Sequence, residues 1–570
     1  MEMSSQGRRH VALILATYCI CFGSYALVDV PFWDDWVILQ NGQQGLWEMF
    51  QQLGRREQFP LVAPFALSET PMLWGLASFI CWGVVSVSIY GILRQLNWAD
   101  TNAMWAALLT AAVPLNEARF ALAMLPYSFS AAFFSTGLYL VATSVKSGRT
   151  WPRVVAALLL FWSFPTNSFL TISWLAPLVV FLVTLKTDPR EGVLGGLKAL
   201  FRRFELLLLP LVYWTLKTVF QPPYGLYEGY NQFQMSPLKA VLLSALRLPS
   251  QSPDIAAFFP TVNYLLEAVF FSGIAVAAIF FAAKVFWIDL GPHKQKQSVS
   301  WLAVLVLFWA AVLALFPYTI VGISPSFMAL WETRHQTTLS LVAGALIFSF
   351  LLAALPVRLV QAISMIVLFV FMACDISASR QLLTDVRTTK ALLHSQQVAS
   401  IPSGTMLGLF ETDNPHRFFS RSFQFYDASS VVNANRVAKD LIMLSQHEVT
   451  DPQTGIVASA GSDAFPAAVE SICRSIVSRP QYGFGDFASN GWYADVTLTR
   501  NSEPASFPLA VSKALWGLVN PEAENAEAVA DLNIVISPRP YTLPTCPDRC
   551  CSTEASKIDW KEVLDGLTTP

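Results

Sequence analysis

Long apolar runs separated by short polar loops fill the first two thirds of the chain, and the pattern changes near residue 376. Crossing about 30 Å of hydrocarbon takes a helix of roughly 20 apolar residues. On that criterion the predicted spans are residues 11–28, 72–93, 102–115, 126–145, 154–164, 168–185, 204–220, 264–286, 299–321, 337–355 and 357–374, eleven in all. The fifth and sixth are one uninterrupted stretch, Val154 to Leu185, without Asp, Glu, Lys or Arg. Basic residues flank it on both sides (Lys146, Arg149 and Arg153 before, Lys186 and Arg190 after). Basic loops stay in the cytoplasm, so the stretch is expected to go out and return, turning near Pro165-Thr166-Asn167.

Residues 376–570 read differently. Ala494 to Thr499 and Leu532 to Ile536 alternate as strands do, while runs near 428–445 and 464–477 have helical periodicity. The expected organisation is a transmembrane module, residues 1–375, followed by a mixed α/β or α+β soluble domain, residues 376–570.

Composition agrees with a bilayer protein: 54% of residues are hydrophobic and 13% charged, against about 25% charged in soluble domains. Arg8, Arg9, Arg94, the two basic flanks, Lys284, Lys294, Lys296 and Arg358 fall on one side. That places the N-terminus in the cytoplasm and, with an odd number of spans, the C-terminal domain outside. The first run follows Arg8 and Arg9 but lacks a small-residue cleavage site, so it reads as a retained span. A bacterial inner membrane with a periplasmic domain is the expected setting. Cys473, Cys546, Cys550 and Cys551 lie in that domain and are disulfide candidates. No nucleic-acid partner is expected.

The external loops, residues 29–71, 116–125, 221–263 and 322–336, carry the ionisable groups. Val30-Pro31-Phe32-Trp33-Asp34-Asp35-Trp36 follows span one, and two adjacent carboxylates beside a membrane should repel and raise one pKa. A helix start rich in acids is the plain structural alternative. Glu117 and Arg119 follow span three, where an exposed ion pair would be worth little. Arg55 and Arg56 lie in the first loop, Lys217 near the outer end of span seven, and Arg334-His335 before span ten, where an Arg could simply snorkel.

These positions make the chain resemble the GT-C superfamily of membrane glycosyltransferases, which includes protein O-mannosyltransferases and bacterial lipid-A and O-antigen sugar transferases. In that superfamily an acidic pair opens the first external loop, where Asp34-Asp35 stands; a further acid follows the third span, where Glu117 stands. A basic residue before a late span contacts the lipid phosphate, often as Arg-Tyr; here the pair is Arg334-His335, a departure in its second member. Arg55-Arg56 with Pro60-Leu61 is similar to a basic-then-proline segment of some bacterial members. The resemblance covers residues 1–375 as architecture and none of residues 376–570.

It implies an inverting transfer of sugar from a polyprenyl-phosphate donor to a hydroxyl of a glycan, lipid or protein, within a membrane-lipid setting. Asp34 would be the base, and Asp35 and Glu117 orienting acids or ligands of a divalent cation such as Mg or Mn. Arg334 and Lys217 would contact phosphate, with Arg55, Arg56, Arg119 and His335 in supporting positions. Trp33 and Trp36 would stack on a sugar or anchor the interface. Competing readings are a polysaccharide polymerase or ligase, and a lipid-linked sugar flippase. A transporter tends to place charges at the bilayer midplane, whereas spans one to four contain none.

Overall fold

The computed structural model describes residues 4–40, 42–187, 190, 192–228, 232–248, 259, 262–292, 297–323, 332–411, 425–435, 440–445, 487–501, 504–540, 557–558, 560 and 563. The protein is a helical bundle continued into a small mixed sheet. The principal helices of the bundle are α1 (Ser5–Phe22), α2 (Pro71–Gln95), α3 (Leu125–Ser147), α4 (Leu175–Thr187), α5 (Glu205–Phe220), α6 (Val262–Val285), α7 (Gln297–Ile320), α8 (Thr337–Ala354) and α9 (Val357–His394). Local sequence sets their ends. Ser4 caps α1 by accepting the Gly7 N–H at 3.1 Å, Pro71 starts α2, where its missing N–H costs nothing, and Gly148 ends α3 in the left-handed conformation.

Among the described residues, eight helical segments are long and apolar enough to cross a membrane. This corrects the expectation of eleven. The three runs that fall short form helices of 12 residues (Asp100–Ala111), 14 (Thr150–Ser163) and 16 (α5). At 1.5 Å per residue these reach about 18–24 Å, less than the hydrocarbon core. Asp100–Ala111 is apolar for a different reason: Thr101 through Ala111 are all buried inside the protein. Its closest neighbour is α8, where a Cβ on Gly344 would lie 2.1 Å from the Thr110 nitrogen, so only glycine permits the approach.

The chain reverses at the expected place, although its first arm, Thr150–Ser163, is too short to cross. Helix Thr150–Ser163 ends, the chain turns through Phe164–Asn167, and α4 follows. At the opposite end of the bundle the basic residues are paired: Arg94 with Asp100 at 2.7 Å, Arg153 with Glu205 at 2.6 Å, Lys146 with Asn97 at 3.0 Å and Arg203 with Ser144 at 2.7 Å.

The 376 boundary falls inside a continuous helix. α9 has 38 residues, about 57 Å, and carries the chain from the bundle into the sheet domain without a break. There α10 (Phe425–Asn433), α11 (Phe507–Val519) and α12 (Pro521–Ala530) pack around it. The sheet order is β2-β1-β3-β4, with β1 (Met406–Glu411) parallel to both β2 (Ile442–Ser445) and β3 (Trp492–Arg500), and β4 (Leu532–Pro540) antiparallel to β3. The two strands read from alternation are β3 and β4.

The run 428–445 is helix only to Asn433, and β2 begins at Ile442. Asn433 ties the two together: its Oδ1 accepts the N–H groups of Asp440 and Leu441, and its Nδ2 donates to the Leu441 carbonyl. The expected helix at 464–477 and Cys473, Cys546, Cys550 and Cys551 lie outside the described residues.

Candidate functional site

One end of the bundle gathers the loop after α1, the short segment between Asp100–Ala111 and α3, the hairpin turn, and the segment before α8. Asp34 and Asp35 open this region and are not equivalent. Asp35 is the first residue of a short helix, Asp35–Gln40, and is fully buried. Its Oδ1 accepts the Ala123 N–H at 2.8 Å and its Oδ2 the Phe32 N–H at 3.4 Å. Burial pushes its pKa up to about 7, opposed by these N–H donors. Asp35 therefore fastens one loop to another. Asp34, half-buried beside it, occupies the turn formed by Trp33 and Asp34, with Trp33 in a positive-φ conformation. Trp33 packs 5.3 Å from the Phe120 ring, and both Trp33 and Trp36 are buried in the core rather than presented at a surface.

Glu117 begins a 3-10 turn, Glu117–Phe120, that is wholly buried. Its Oε2 accepts a hydrogen bond from the Tyr25 hydroxyl, and its carboxyl faces Asp375 in α9. Neither Asp375 oxygen receives a protein N–H or O–H donor among the described residues; the Cys21 thiol lies alongside. Burial raises the Glu117 pKa, and the positive charge of Arg119 lowers it in part. Two facing carboxyls repel when both are ionised. Arg119 lies with its guanidinium 3.7 Å from the Phe22 ring centre and 4.9 Å from that of Trp82, and its Nε donates to the Asn116 carbonyl at 2.7 Å. It is fixed in the aromatic core, away from any surface groove.

The segment before α8 joins this region directly: the Ala118 N–H donates to Thr333 Oγ1 at 3.1 Å. Arg334 and His335 follow, and the His335 ring lies 4.9 Å from that of Tyr318 in α7. Tyr318 also shares a hydrogen bond with Ser168 at 3.1 Å and feels the charges of both Arg55 and Arg334. Arg55 lies against the Tyr127 hydroxyl, with Tyr213 and Tyr318 within electrostatic range. Lys217 donates to Asn167 of the hairpin turn at 2.9 Å and is repelled by Arg55. Glu57 accepts from Tyr213 at 2.7 Å. Arg55 and Arg334, from distant segments, thus meet at Tyr318, with Lys217, Glu57, Tyr127 and Tyr213 around Arg55. Arg56 is exposed and outside the cluster.

Sequence reasoning therefore named Arg55, Lys217, Arg334 and His335, which the fold brings together, and missed Tyr127, Tyr213, Tyr318, Tyr25 and Asp375. Asp375 had a usable signal, an ionisable residue ending a long apolar run; the tyrosines had none. Among the described residues no three His, Cys, Asp or Glu side chains are placed to hold a metal ion. Both Asp35 oxygens accept backbone donors, and Glu117 Oε2 accepts from Tyr25. No protein-family model matches the sequence, and none of the curated proteins compared with it gives a match.

Proposed function

We propose that this chain is an integral membrane glycosyltransferase that takes its sugar from a polyprenyl-phosphate donor. The observation that carries the reading is the meeting of Arg55 and Arg334 at Tyr318, with Lys217 beside Arg55. Like charges brought together cost free energy that a bound anion recovers, and guanidinium groups suit phosphate oxygens. The acids lie at the same end of the bundle, joined to Arg334 through the Ala118–Thr333 hydrogen bond. On this reading the same end faces away from the cytoplasm, because the paired basic loops lie at the other.

The roles then divide. Arg55, Lys217 and Arg334 bind the donor phosphate and stabilise the negative charge it gains as the glycosidic bond breaks. Asp34 accepts the proton of the attacking hydroxyl on the opposite face of the sugar, giving inversion in one displacement. Asp35 and Glu117 hold the loops that carry these groups. Binding of a polyprenyl-phosphate sugar to protein in nanodiscs tests the assignment. Arg55→Ala and Arg334→Ala should each weaken binding about tenfold or more, the worth of a charge-assisted contact, while Asp34→Asn binds normally. Unchanged binding in both arginine variants would remove the basis for the donor class.

A further inference from the structure

We propose that α11, although part of the C-terminal domain, lies embedded in the bilayer leaflet beside α1 and α6, with lipid acyl chains on its outward face. A helix on the surface of a water-soluble domain turns its polar side outward. α11, with sequence FPLAVSKALWGLV, does the reverse. Its outward stripe is Pro508, Leu509, Ser512, Leu515, Trp516 and Val519, and Trp516 and Val519 are 53% and 79% exposed. Its one charged residue, Lys513, turns toward α12 and pairs with Glu527, while Ala510 and Gly517 are buried.

The stripe continues a surface that already faces lipid. Leu266, Phe270 and Ile274 on α6 are exposed along a predicted span, and Phe507 at the start of α11 packs 6.3 Å from Phe271. Between these helices runs an apolar groove of about 380 Å³ lined by Cys19, Gly23 and Leu27, by Phe271, and by Pro508 and Val511. Cys19 to Leu27 is the last two turns of the first span, so α11 enters within the leaflet's depth. Thirteen residues reach only about 20 Å, too short to cross, which suits a helix lying in the interface.

The entry is fastened by charge. Arg380 of α9 donates to the carbonyls of Pro504 and Ala505, each at 3.0 Å, and pairs with Glu267 of α6 at 2.7 Å. Glu267 in turn accepts the Phe507 N–H. These bonds satisfy the polar groups at the start of α11 where water is scarce. The Arg380 guanidinium also stacks 3.8 Å from the Tyr264 ring centre.

The test is photocrosslinking of the full chain in native membranes, with a benzophenone amino acid replacing Trp516 or, separately, Val519. The same residue at Val370, on the exposed face of the α9 span, is the lipid-facing reference, and at Ser403, an exposed loop position, the water-facing one. Phospholipid adducts at Trp516 and Val519 within about threefold of the Val370 yield are expected. Adduct yields no higher than at Ser403 would overturn the proposal, as would a crosslinked dimer, which would assign the stripe to a second copy of the chain.

Discussion

Two clusters lie at the same end of the bundle and are built on opposite principles. The Glu117–Asp375–Tyr25 centre is fully buried and sets two carboxyls face to face, with Arg119 clamped between aromatic rings. The Arg55–Lys217–Arg334 cluster is half-open and carries repulsion among its own members. Arg55 and Lys217 repel one another, and a bound anion would relieve that repulsion. On the proposed function, Glu117, whose place after the third span marks it as a candidate catalytic acid, instead ties its loop to Tyr25 and α9. On the same proposal Asp34 is the carboxylate with the reacting role.

The sharpest way to break this division is Asp34→Asn. It keeps the shape of the turn and removes the base, so transfer should fall about two to four orders of magnitude while donor binding and folding persist. Transfer at the wild-type rate by folded protein would return the acidic pair to a purely structural role.

The arginines come next in size. Arg55→Lys should recover part of the binding lost in Arg55→Ala, because charge returns without the guanidinium fork; isothermal titration or native mass spectrometry reads the series. Equal loss in Ala and Lys would mean that shape rather than charge is being read.

On the other side of the comparison, Glu117→Gln and Asp375→Asn should each destabilise the protein by about 1–3 kcal/mol, the cost of disturbing a buried polar pair. Their donor affinity should stay near wild type. Thermal unfolding in nanodiscs alongside binding separates the two effects. A Glu117→Gln protein of full stability but without transfer would move Glu117 into the catalytic set.

A pH dependence follows from Asp35. Its folded pKa, about 7, is above the ordinary carboxylate value because of burial. Between the ordinary value and about 7 the folded state holds a proton that the unfolded chain has released, so stability falls as pH rises through that window. Melting temperature measured from pH 5 to pH 8 should show this slope, and Asp35→Asn should flatten it.

Much of the architecture was legible because apolar periodicity reports burial directly. It does not report what does the burying. Asp100–Ala111 reads as a membrane span from its composition, yet its neighbours are α1, α2 and α8. The same ambiguity conceals α9: the apolar run ends at Asp375, but the helix continues to His394 because the sheet domain replaces lipid as its surroundings. The adjacency of Asp34 and Asp35 was visible; which of them is buried was not, since the N–H groups that bind Asp35 include one from Ala123, 88 positions away. Cations were found from their places beside spans, whereas Tyr127, Tyr213 and Tyr318 carry no local mark that separates them from other interfacial aromatics.

The most direct test of the central claim is the lipid content of membranes from a strain lacking the gene. A transferase that consumes a polyprenyl-phosphate sugar should leave that donor accumulated, detectable by mass spectrometry of extracted lipids. Restoring the wild-type gene should clear it and restoring Asp34→Asn should not. An unchanged lipid profile, or clearance by Asp34→Asn as complete as by wild type, would contradict the account.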